Sequence, residues 1–99
     1  MPRQHSISFA TSAVSDLEEI RAWYLKREVP EVGDRLLQEI IAAIERLADF
    51  PESGRVVPEF GVPQLRETIY PPFRIVYRLD KLRVRIVRIW RSERLLQMP

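Results

Sequence analysis

The chain has 99 residues, is 45% hydrophobic and carries a formal charge of +2; that length supports one modest core, so residues 1–99 read as a single domain. The absence of cysteine excludes a disulfide framework, a thiolate metal site and a cysteine nucleophile. No apolar run nears the roughly 18 residues of a membrane-spanning helix, and the polar start MPRQHSISFATSAVSDL lacks an apolar leader, so a soluble, unprocessed, cytoplasmic protein with no membrane partner is expected.

In chain order, SISFA at residues 6–10 alternates Ile7 and Phe9 with small or polar neighbours, the pattern of a short strand. A helix then runs from a Thr11 or Ser12 cap to about Glu28, with Val14, Leu17, Ile20 or Arg21, and Tyr24 recurring every three or four residues. Ser15 and Glu18 have capping-box spacing, and Asp16, Glu19 and Arg27 fall on the outer side. Val29-Pro30 ends this helix, because proline disfavours helical geometry in the residue before it and suits a helix start. The second helix spans Glu31 to Asp49, and its stripe of Val32, Leu36, Leu37, Ile40, Ile41, Ile44 and Leu47 is wide enough to pack on both the first helix and a sheet.

The segment Phe50-Pro51-Glu52-Ser53-Gly54-Arg55 stops that helix, and the following residues with Pro58, Gly61 and Pro63 read as a loop. Three strands follow: Leu65 to Tyr70; Phe73, Ile75, Tyr77 and Leu79 alternating with Arg74, Val76 and Arg78; and Leu82 to Trp90 after an Asp80-Lys81 turn. In the last strand the apolar positions change parity between Ile86 and Val87, which implies a strand covered on both faces or a bulge. The fold class is therefore α+β: an N-terminal strand, a two-helix antiparallel hairpin, then a three-stranded antiparallel sheet covered on one face by the hairpin.

Charge is unevenly divided. Residues 1–60 hold 7 Lys+Arg against 11 Asp+Glu and residues 61–99 hold 9 against 3, so the parts carry −4 and +6, which make up the +2. Arginine supplies 14 of the 16 cations, and its rigid, weakly hydrated fork suits phosphate or carboxylate. Alternation puts Arg74 and Arg78 on the strand face opposite Phe73, Ile75, Tyr77 and Leu79, with Arg88, Arg91 and Arg94 close behind. Such a concave cationic face, with Tyr70 and Trp90 near it, would suit a phosphate backbone, the charge of phosphoryl transfer or an acidic protein segment. Arg83 and Arg85, beside the hairpin turn, read as solvating charges.

Catalytic chemistry has little to build on. The sole histidine, His5, sits near the N-terminus, which leaves no Ser/His dyad and no transition-metal site. The three glycines stand apart and form no phosphate loop, so no nucleotide cofactor and no small-molecule substrate is expected.

Taken together, SISFATSAVSDLEEI, IERLADFPESGRVVPE, LRETIYPPFRIVYRL and VRIVRIWRSERLL resemble the ParE branch of the RelE/ParE superfamily of bacterial toxin–antitoxin modules. Its most specific parts are the Leu47-to-Arg55 helix-and-turn pattern, Arg66-Glu67 and the Phe73–Arg78 strand. The resemblance implies a barrel-like RelE/ParE-type α+β fold, a small ParD-type antitoxin that wraps and neutralises the toxin, and action on DNA gyrase that blocks replication. RelE-like relatives instead cut messenger RNA on the ribosome.

Carried over residue by residue, Arg74 matches the strand arginine that RelE-like nucleases place near the scissile phosphate, and Arg91 or Arg94 falls near a later one. Their lysines on the preceding strand meet Leu65 and Glu67, and Gln97-Met98-Pro99 offers no late tyrosine. Lacking a general base, cleavage by 2′-hydroxyl attack would lose on the order of a hundredfold or more. A non-enzymatic gyrase inhibitor is therefore the leading expectation, with Arg74, Arg78, Arg91 and Arg94 as toxic-surface candidates and no catalytic, metal or cofactor residues. A ribosome-dependent mRNA endonuclease and an inactive toxin-fold binding module are the alternatives.

Overall fold

The computed structural model describes residues 4–91. The chain runs β1 (Ser6–Phe9), α1 (Thr11–Lys26), α2 (Pro30–Glu45) with a short 3-10 turn Arg46–Ala48, β2 (Arg55–Val56), β3 (Leu65–Tyr70), β4 (Phe73–Asp80) and β5 (Arg83–Arg91). The α+β class and the helical hairpin are as expected. The sheet is larger than the three strands expected: among the described residues it has five, in the order β1-β5-β4-β3-β2. β1 joins as a parallel partner of β5, and β2, a two-residue strand inside the anticipated loop, pairs antiparallel with β3.

Alternation assigns each strand residue to one of two faces. The inner face presents Phe73, Ile75 and Tyr77 of β4 and Val84, Ile86 and Ile89 of β5 to the helices, where Ala13, Ile20, Ile40, Ala43, Ile44 and Leu47 complete the core. The parity change in β5 is a bulge: Tyr77 pairs with Ile86 and Val76 with Arg88, leaving Val87 as the extra residue. This re-aims the end of the strand, so that Ile89 and not Arg88 faces inward.

The two helices join through a tight cap. Glu28 takes the left-handed conformation at φ 61°, Val29 N–H donates to Tyr24 O and Glu28 N–H to Leu25 O, the two bonds of a Schellman turn. Pro30 then starts α2. At the helix start, the Ser15 and Glu18 capping box does not form: Ala10 occupies the cap position without a side-chain bond. Ser12 Oγ donates instead to Val87 O at 2.7 Å, tying α1 to the bulge.

Gly33 sets how closely the helices approach. A Cβ there would lie 2.8 Å from Cβ of Tyr24, an atom held by the α1 backbone. Gly33→Ala should therefore lower stability by about 1–3 kcal/mol despite alanine's better helix propensity. Thermal and denaturant unfolding of the variant will check this; an unchanged or raised midpoint would mean that the hairpin is not in van der Waals contact at Gly33.

Candidate functional site: the outer sheet face and the α1–β5 groove

The outer face, opposite the helices, carries Leu65, Glu67 and Ile69 of β3, Arg74, Val76, Arg78 and Asp80 of β4, and Arg83 and Arg85 of β5. Its central arginine is not presented to solvent. Arg74 is 7% exposed and Glu67 1%. Arg74 Nε donates to Glu67 Oε1 at 2.7 Å, and its two terminal nitrogens fork onto Glu59, each at 3.2 Å. The other oxygen of Glu67 accepts from Arg55 Nε at 2.7 Å. Two arginines and two carboxylates thus form a chain of charge-assisted bonds whose formal charge is zero.

A loop makes this burial possible. Val57 extends the β2 register by donating its N–H to Leu65 O, and the chain then turns so that Glu59 lies over Arg74. Val57 and Val76 are both buried, giving the outer face a small apolar floor around the ion pairs. Burial alone would weaken the Arg74 proton affinity, but the hydrogen bonds of Glu59 and Glu67 outweigh it and raise its pKa. The hydrogen bond from Arg74 holds the Glu59 carboxyl below its ordinary 4.5.

The turn ahead of β2 is tied to the opposite side of the sheet. The Tyr77 hydroxyl donates to Pro51 O at 2.6 Å and accepts Gly54 N–H at 3.1 Å, while Arg66 donates to Gly54 O at 3.0 Å. Burial pushes the Tyr77 hydroxyl pKa up, so it stays protonated as a donor. The FPESGR pattern and the Arg66-Glu67 pair are thus parts of one fastening.

Arg78 is different. It is exposed on the same face, directly opposite Arg85, while Arg83 lies across from Asp80 at the end of the hairpin. The reversal itself is Lys81-Leu82, one residue beyond the expected Asp80-Lys81, and Asp80 accepts the Lys81 N–H.

Arg91 belongs to the other face. It pairs across strands with Phe73, and its guanidinium carbon lies 5.3 Å from the Trp23 ring centre and 5.7 Å from that of Phe73. Here α1 and the end of β5 form a groove lined by Asp16, Glu19, Trp23, Trp90 and Arg91. Asp16 organises it: its two oxygens take a fork from Arg88, both bonds 2.9 Å, and Oδ2 also accepts Ile89 N–H at 2.8 Å. A second arginine, Arg27, lies over the Trp23 ring with its guanidinium carbon 3.5 Å from the ring centre.

The expected single cationic face therefore divides. Arg74 lies within a neutralised network, Arg78 on the open outer face, Arg91 in the groove on the inner side, and Arg94 lies outside the described residues. Tyr70 and Trp90, both expected beside that cationic face, fall on opposite faces, because Tyr70 pairs with Phe73 and Trp90 with Arg74. Asp16, read as an outer helix residue, is buried. Its spacing from Ala13 and Ile20, three and four residues, was the signal that it shares their buried stripe.

Removing the Glu67 carboxylate leaves two arginines facing a buried gap. Glu67→Ala should cost about 3–5 kcal/mol, measured by denaturant unfolding. The Glu59 contribution has a definite pH sign: a depressed folded pKa adds stability that is present above the unfolded value near 4.5 and is lost as pH falls through the lower folded one. The melting-temperature gap between the parent chain and Glu59→Gln is expected to be widest at neutral pH and to close below pH 4.5.

Comparison with known proteins agrees with this architecture. The family model for the ParE toxin of the type II toxin–antitoxin system parDE matches residues 7–96. Among solved structures, one described as a chromosomal ParDE system from P. aeruginosa superposes with a TM-score of 0.75 at 25% identity, covering 90% of this chain and 97% of its own. The RelBE2 toxin–antitoxin complex from Mycobacterium tuberculosis superposes at 0.67 with 18% identity, over 89% and 98%, a likeness of fold. No curated protein matches the sequence. With the family model spanning nearly all of the described sheet and both helices, the chain belongs to the ParE toxin family of type II toxin–antitoxin systems.

Proposed function

We propose that this toxin acts without catalysis, by inhibiting DNA gyrase and so replication, and that a ParD-type antitoxin holds it inactive. The observation that carries the reading is the Glu67–Arg74 pair. In the resemblance to RelE-like nucleases, Arg74 stands where an arginine would meet the scissile phosphate, yet here its guanidinium is buried and engaged by Glu67 and Glu59. A phosphate approaching that point would have to displace the exposed Glu59 carboxylate and then compete with the buried Glu67. Neither nuclease lysine has an equivalent, since Leu65 and Glu67 occupy those places.

What remains for the target is surface charge and shape: Arg78 on the outer face, and Arg91 with its Trp23 contact in the groove, continued in sequence by Arg94. Arg74 supports this surface from beneath. Arg74→Gln should therefore reduce stability, while Arg78→Ala with Arg91→Ala and Arg94→Ala should reduce toxicity in a folded chain.

The deciding experiment incubates purified toxin with gyrase, ATP and relaxed plasmid, then applies detergent and protease to reveal trapped breaks. Supercoiling should fall, linear DNA should accumulate, and the antitoxin should reverse both. Normal supercoiling by a folded toxin, together with mRNA cut in translating ribosomes, would replace this reading with the nuclease one.

A further inference from the structure

The cations of the outer face are treated in two ways. Arg55 and Arg74 are matched by Glu67 and Glu59, and Arg88 by Asp16. Arg78, Arg83 and Arg85 are exposed, and among the described residues none of their side chains makes a hydrogen bond or ion pair. Arg78 and Arg85 stand directly opposite each other on neighbouring strands, an arrangement that costs stability through like-charge repulsion. Edge protection does not account for them, because β4 and β5 lie inside the sheet order β1-β5-β4-β3-β2.

The neighbourhood of these arginines is that of an anion platform. Ser8 of β1 is in register with Arg85 and Ser6 with Arg83, so both serines stand on the outer face of the next strand, whose backbone runs about 4.8 Å away; the Ser6 hydroxyl donates to Leu82 O, while Ser8 is exposed. Lys81 adds a fourth exposed cation at the turn, and Asp80 is the one acid on this patch among the described residues. Among the described residues no aromatic side chain shares it: the strand residues of the outer face at this end are Ser6, Ser8, Leu65, Arg78, Asp80, Arg83 and Arg85. Single strands are held by stacking their bases on aromatic rings, whereas a duplex offers a regular line of phosphates to arginines and hydroxyls.

We infer that Arg78, Arg83 and Arg85, with the exposed Ser8 on the neighbouring strand, form a docking surface for the phosphate backbone of duplex DNA. The contact is independent of sequence and is separate from the Trp23 groove. It goes beyond the gyrase reading and does not depend on it, since it is measured with no enzyme present.

The test follows the anisotropy of a labelled 20-base-pair duplex as free toxin is added over a series of salt concentrations. Three phosphate contacts predict a slope of log K against log salt of about −2.7, or roughly fortyfold weaker binding from 50 to 200 mM. The variant R78Q/R83Q/R85Q should bind at least about tenfold more weakly with a slope near zero, yet melt at the same temperature or about 1–3 °C higher because the Arg78–Arg85 repulsion is gone. A charge-matched helix variant, K26Q/R35Q/R46Q, should keep the parent slope. The inference is overturned if the duplex does not bind at 50 mM salt, if the sheet and helix variants weaken equally, or if poly-glutamate or single-stranded RNA occupies the patch in preference to the duplex.

Discussion

A carboxylate buried at the centre of the outer sheet face, Glu67, is the constraint on which the arrangement of charge depends. Taking a carboxylate and a guanidinium out of water costs several kcal/mol each, and their attraction offsets this only when nearly every donor and acceptor is matched. Here the matching is close: each Glu67 oxygen takes one arginine, and the remaining terminal nitrogens of Arg74 are met by Glu59. Because Arg55 comes from β2 and Glu59 from the loop after it, the network also holds that loop against β3 and β4. The same residues that neutralise Arg74 therefore decide the shape of the face around it.

A second constraint operates at the other end of the sheet. β1 covers the edge of β5 only as far as Ile86, beyond which the backbone of β5 would meet α1 with its polar groups unmatched. Asp16 meets that need by accepting Ile89 N–H while clamping Arg88, and Ser12 does so by donating to the carbonyl of the bulged Val87. The bulge has a functional consequence. It turns the strand by one residue, sending Arg91 to the helix side beside Trp23 and separating it from Arg78.

Much of this fold was legible in the sequence because it follows from local periodicity. The α2 stripe buried Ile40, Ile44 and Leu47 as its spacing required, and the parity change in β5 marked the bulge. What escaped was non-local or too short for a period. A parallel pairing between Ser6–Phe9 and residues more than seventy positions away leaves no mark on either segment, and Arg55–Val56 is too brief to alternate. Strand alternation placed Arg74 on the correct face but could not show that a loop would cover it. Glu67, noted only as standing where the nucleases carry a lysine, was the clue: the one acid of β3, beside the arginines of β4, more naturally serves those neighbours than the solvent.

The uneven charge of the two parts of the chain takes on a physical meaning in the folded state. Asp16 and Glu59, from the acidic part, are spent on Arg88 and Arg74 of the basic part. These pairings do not merely cancel charge; they choose which arginines are cancelled. Arg74 under the loop and Arg88 against α1 are neutralised, since an unmatched charge there would be desolvated. Those at the open end of the β4–β5 hairpin keep their charge in water, where holding it is inexpensive and where a Debye length of about 8 Å leaves it visible to a polyanion. A chain of nearly neutral total charge can thus present a local field of one sign. The field is set by the acids' positions in the fold, not by the net charge, since the 14 arginines equal the 14 acids in number.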